Sequence, residues 1–163
     1  MKFINIFTFV VIAISILASC KKDDENNSGY EFKNQNLQGK IGNVAWQLNS
    51  GNAEDDGSEL DIDLWVVNET DPCNVLFGDS TRIFFGIDNV VGLTELNLDL
   101  TNIFSGQTVT FFIPDGSQNL VASEGAVEIL SIDTATNLVS GRMDVTFDEE
   151  TFVNGNFTID YCN

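Results

Sequence analysis

From Leu37 to the C-terminus, apolar residues recur at every second position, and that period admits strands and little else. Leu60, Ile62, Leu64 and Val66 alternate with Asp61, Asp63, Trp65 and Val67. Two carboxylates opposite an aliphatic row describe a strand with one wet face and one buried face. The alternation returns at 83–87, 96–100, 109–113, 127–132, 139–147 and 153–161. Over 127–132 it puts Val127, Ile129 and Ser131 on one face and Glu128, Leu130 and Ile132 on the other. Val139, Met143, Val145 and Phe147 share a face further on. Between residues 90 and 104 helical spacing competes, but Leu96, Leu98 and Leu100 alternate strictly, so a strand is expected from Thr94. Turn residues fall at 49–57, Asp88-Asn89, Asp115-Gly116, 133–137 and 148–150. With first strands near 38–41 and 45–48, about nine consecutive antiparallel strands are expected. The expected fold is all-β, an antiparallel β-sandwich or a small meander β-barrel, with little or no helix.

The chain is 163 residues long, room for one ordinary domain, placed here at 37–163. Ten of its Phe and both Trp lie beyond residue 19, enough apolar material for a real core despite the acidic balance.

That balance excludes several functions. Removing the first 19 residues takes away one Lys and no acid, which leaves 6 basic against 25 acidic side chains, net −19. Phosphate backbones and anionic lipid headgroups are both held by Lys and Arg, so neither nucleic acid nor electrostatic membrane docking fits. There is no His, which removes Ser-His and Cys-His nucleophile systems and His-ligated metal centres. Paired carboxylates could support glycoside hydrolysis, but among 25 acids nothing selects one pair, and the chain is read as non-catalytic.

The N-terminus carries an address. Met1-Lys2 precedes an apolar run over 3–17, shorter than the roughly 20 residues that span a bilayer but suited to a signal peptide. The run ends in Leu17-Ala18-Ser19-Cys20, which resembles a bacterial lipobox. The resemblance implies that 1–19 is a cleaved lipoprotein signal peptide and that the Cys20 thiol carries the lipid. Lys22-Asp23-Asp24-Glu25 follows, and resembles the surface-export signal of some Gram-negative lipoproteins. That implies an outer-membrane protein facing the cell exterior; the alternative is an outer-membrane lipoprotein facing the periplasm. Residues 20–36 are the lipidated Cys and a polar tether, whose 16 residues after Cys20 would coil over about 20–25 Å. The implied membrane partner is reached through acyl chains, and two or more of these anchor stably.

The opening 39–46 (GKIGNVAW) and the closing 153–159 (VNGNFTI) resemble uncharacterised all-β lipoprotein domains of surface-exporting Gram-negative bacteria. The resemblance implies fold and location and carries no catalytic motif.

Residues 52–63 overlay the twelve-residue calcium loop, with Asn52, Glu54, Asp56, Ser58 and Asp63 as oxygen ligands and Gly57 at the sixth position. An acidic hairpin is the competing reading. Calcium is the one cofactor considered; otherwise none is expected. Trp65 shares a strand face with Asp61 and Asp63, a set able to stack on and hydrogen-bond a sugar; core filling is the alternative for both Trp65 and Trp46. Asp79-Ser80-Thr81 and Asp133-Thr134-Ala135 resemble an O-glycosylation sequon of some Gram-negative envelopes, which would make Ser80 and Thr134 glycan carriers. With Cys20 committed to lipid, Cys73 and Cys162 remain, and in an oxidising compartment an even pair is expected to form a disulfide.

These features point to a surface-anchored, non-catalytic module that binds a partner or decorates the envelope. A glycan or an envelope protein is the expected partner. The alternative is a carrier of a small apolar ligand, or a purely structural lipoprotein.

Overall fold

The computed structural model describes residues 29–75, 80–98, 106–115 and 117–162. The expected signal peptide, Cys20 and the expected export signal at 22–25 lie outside the described residues, as does Asp79. Eleven strands make one sheet: β1 (Gln38–Ile41), β2 (Val44–Gln47), β3 (Ser50–Asp55), β4 (Glu59–Trp65), β5 (Arg82–Asp88), β6 (Gly92–Glu95), β7 (Val109–Ile113), β8 (Gln118–Ala122), β9 (Glu124–Asp133), β10 (Leu138–Asp148) and β11 (Thr151–Cys162). The main path runs β6-β9-β10-β11-β3-β4-β5-β7-β8, and it curls into a half-barrel. The ends of the curl are drawn together: the Asn97 amide donates to the Gln107 carbonyl, and the Gln107 side chain donates to Gly86 of β5. Among the described residues the only helical turn is a 3₁₀ turn at Pro72–Asn74.

The all-β expectation holds. The order departs from consecutive pairing, since β11 lies beside β1 and β3, β6 beside β9 and β5 beside β7, and one of these pairings also differs in sense. β11 and β3 run parallel, Asp160 beside Asn52 and Cys162 beside Glu54, so the sheet is mixed rather than wholly antiparallel. β11 forks: its first half pairs β1, its last residues pair β3, and β10 lies along its other side.

Two strands exceed the sequence expectation. β3 occupies Ser50–Asp55, where turn-forming residues predict a loop. Gly51 is there because the backbones approach closely; a Cβ would sit 2.6 Å from the Asp63 carbonyl. β8 has only Leu120 and Ala122 turned toward the core, too little to stand out as alternation.

Three register readings are corrected as well. β6 is Gly92–Glu95, and residues 96–98 are not strand; Leu96 is buried while Leu98 is exposed, so they do not share an inner face. In β9 a bulge opposite Ser140/Gly141 inserts Leu130, which lies exposed, and turns Ile132 inward in place of Ser131. A second register shift in β10, between Thr146 and Asp148, leaves Phe147 exposed.

The core is built as the alternation dictates. Leu60, Ile62 and Leu64 of β4 meet Ile83, Phe85 and Ile87 of β5, with Phe111 of β7 and Phe157 and Ile159 of β11. Each such side chain contributes roughly 1.5–3 kcal/mol through burial.

Residues 31–36, expected to be tether, are laid on this body. Lys33 N–H donates to Asn154 Oδ1 (2.8 Å) and Asn154 Nδ2 donates to the Glu31 carbonyl (2.9 Å). Asn156 N–H reaches the Gln35 carbonyl, and Phe32 lies under the Arg142 guanidinium at 4.4 Å. Residues 31–36 therefore act as a strap beside β11, where composition alone reads free coil.

Candidate functional site

The β1–β2 hairpin turns through Gly42 and Asn43, whose positive φ values of 59° and 63° are those a tight two-residue hairpin demands. Its tip is pinned to the β10–β11 turn: Gly42 N–H donates to Thr151 Oγ1 and Asn43 N–H to the Glu150 carbonyl. So held, the hairpin faces the end of the half-barrel where β4 stops, β5 begins and β7 stops. The space between is a cleft of about 540 Å³. Ile41, Val44 and Trp46 form one wall; Val66, Ile113 and Pro114 form the other. Thr81, Asp115 and Gln118 supply a hydroxyl, a carboxylate and an amide. An apolar lining with a few polar groups is what ligand sites usually present. The set offers contact area and orientation, with one carboxylate and no nucleophile-base pair.

Pro114 and Val44 are the residues sequence reasoning missed. Gly42-Asn43 between apolar runs is a hairpin signal, and Val44 at 69% exposure is large and apolar for an open position. Neither signal says that Ile113 and Pro114 stand opposite.

The sugar platform expected at Trp65 is corrected. Alternation does put Trp65 on the face of Asp61 and Asp63, but its side chain is only 2% exposed, and stacking needs an open ring face. Trp46 is 4% exposed. On that same face Arg82 lies 3.4 Å from Asp63 and over the rings of Phe84 (5.2 Å) and Phe112 (5.5 Å). Burial raises the Asp63 carboxyl above its ordinary range, and the Arg82 charge opposes that rise.

The calcium reading of 52–63 is corrected too. The segment is the β3–β4 hairpin, so Asn52 pairs with Asp63 far down the strands from the tip that holds Asp56 and Ser58. At about 3.3 Å per residue, four residues separate Asn52 from Asp56 by about 13 Å, too far to share one ion. Asp56 instead accepts from the amides of Ser58 and Glu59 and from the Ser58 hydroxyl, and Glu54 is exposed on its strand. Among the described residues no group of three or more His, Cys, Asp or Glu is placed to hold a metal.

Cys73 and Cys162 are paired, their Cα atoms 5.6 Å apart. The bridge ties the 3₁₀ turn to the end of β11 and borders a polar hollow lined by Glu54, Asp55, Asn74, Asn137 and Tyr161. There the Tyr161 hydroxyl donates to Asp55, which holds that carboxyl below its ordinary range, with the Gly57 amide adding to the effect. Thr134 is exposed in the β9–β10 turn, where Asp133 accepts from the amides of Ala135 and Thr136. Ser80 is half-buried.

No protein-family model matches the chain, and no curated protein or solved structure matches it.

Proposed function

We propose that the chain is a lipid-anchored, non-catalytic binding module of the bacterial cell surface, and that the cleft under the β1–β2 hairpin holds its ligand. The anchor rests on Leu17-Ala18-Ser19-Cys20, and outward display on Lys22, Asp23, Asp24 and Glu25. Thr134, open in its turn, is the better placed of the two glycan carriers.

The observation that carries the binding reading is the cleft itself. It is a hollow of about 540 Å³ lined mainly by apolar side chains, and the pinned hairpin keeps it formed. The earlier alternative of an apolar carrier puts the ligand inside the Phe-rich core. Among the described residues, this cleft lies at the end of the buried cluster. The glycan version has lost its Trp65 platform.

A neutral fluorescent dye, N-phenyl-1-naphthylamine, tests the site on the body from residue 29 onward. We expect saturable binding at one site, weakened at least tenfold by Ile113→Glu in protein that still melts cooperatively. Should that variant fail to fold, Pro114→Glu at the half-exposed wall serves the same purpose. Linear, unsaturable dye uptake, or saturable binding that both variants leave unchanged, would refute the reading.

A further inference from the structure

The cleft has one wall made of unpaired backbone. Among the described residues, β2 hydrogen-bonds only to β1. In that antiparallel ladder the bonded pairs are Ile41 with Val44 and Gly39 with Trp46, and Leu48 N–H continues the series to the Leu37 carbonyl. Bonded pairs alternate with pairs whose amides and carbonyls point outward. Ala45 and Gln47, opposite Lys40 and Gln38, are the outward ones. Their backbone groups meet no partner among the described residues; Ala45 lines the cleft, and Gln47 continues the same edge beyond it.

Natural edge strands are blunted by being very short, as the four-residue β2 is, and by side-chain devices: Lys, Pro or an inward charge. β2 reads Val-Ala-Trp-Gln and has none of these side chains. Val44 is exposed at its start, while Trp46 points into the body. A free edge beside an apolar hollow is the arrangement that accepts an added strand, with backbone bonds giving affinity and alternate side chains giving selectivity.

We propose that the occupant of the cleft is an extended, cationic peptide segment of a partner, added to β2 as a further strand. This rests on the cleft being the ligand site. The peptide's backbone bonds to Ala45 and Gln47, and its alternate apolar side chains enter between Trp46 and Ile113. Charge selects the rest. Asp115 stands at the rim, and the chain carries a net −18, which draws in a Lys- or Arg-bearing segment and repels a second copy of itself.

The probe is a blocked heptapeptide of alternating Val and Thr with Lys at both ends. It is titrated into the full ¹⁵N-labelled chain in detergent micelles, with amide exchange read by NMR. Exchange at Ala45 and Gln47 should slow at least tenfold on binding. Ala45→Pro removes an outward N–H without touching the β1 bonds, a change edge strands tolerate. It should weaken the peptide at least tenfold and leave the urea midpoint in place. Asp115→Asn should weaken it severalfold at low salt and little at high salt.

Peptide binding that Ala45→Pro leaves intact would overturn the edge pairing and make the cleft an ordinary apolar pocket. Protection of Ala45 and Gln47 that grows with protein concentration and needs no peptide would assign the edge to a second copy. Dye binding without peptide binding removes this inference alone; loss of both removes the cleft as a site.

Discussion

Single side chains in this molecule do jobs that their type only half announces. Asp56 is a calcium ligand by spacing and a turn former by geometry. Its carboxylate lies 2.8 Å from the Glu59 amide and 2.9 Å from that of Ser58, and these bonds, the Glu59 one first, depress its pKa. A carboxyl depressed in the folded state stabilises the fold above its unfolded pKa of about 3.9 and loses that contribution as pH falls through the folded value. The Asp56→Ala variant should therefore unfold at lower urea than the parent at pH 7, and the gap should narrow near pH 2.5. Equal gaps at both values would mean that the carboxylate's charge plays no part. Trp65 teaches the same lesson. Its face was legible because strand periodicity fixes faces, but its cover was not, since what lies over a face is set by segments distant in sequence.

At the scale of elements, the strands with strict apolar alternation were legible almost to the residue: β4, β5, β7 and β11 stand where period two puts them. β3 was not, because Ser50-Gly51-Asn52-Ala53 has no bulky apolar residue. It is a strand because β4 and β11 bracket it. The β9 bulge was equally hidden, since one inserted residue reverses faces without altering composition. The Cys73–Cys162 bridge was legible from cysteine arithmetic, and the fold supplies its reason: it clasps the parallel β3–β11 seam, where pairing spans only Asp160, Tyr161 and Cys162. Its loop separation of 89 residues gives up to about 4–5 kcal/mol by restriction of the unfolded chain. A Cys73→Ser, Cys162→Ser double variant should lose up to that amount in urea unfolding, and dithiothreitol should lower the parent to the same midpoint. A parent indifferent to reductant would show the bridge to be unformed in solution.

The whole molecule is a curled sheet whose first described residues are strapped along β11 and whose cleft is fixed by a pinned hairpin. The all-β class was legible in the sequence; the cleft was not, because its two walls, residues 41–46 and 113–118, come together only when the sheet curls. The strap matters for placement. It binds residues 31–36 to Asn154 and Asn156, so under the proposed lipid anchor the body would sit nearer the membrane than with a coil running to Leu37.

The proposed role is that of a binding module held at the cell surface by lipid on Cys20, and fractionation of cells fed labelled palmitate tests that most directly. The parent should incorporate label and remain with the outer membrane through detergent-free washing, while Cys20→Ala should take up none and leave the membrane fraction or stay unprocessed. A Cys20→Ala protein that still sediments with washed outer membrane, or a parent that takes up no label, would contradict the lipid anchor and the surface role built on it.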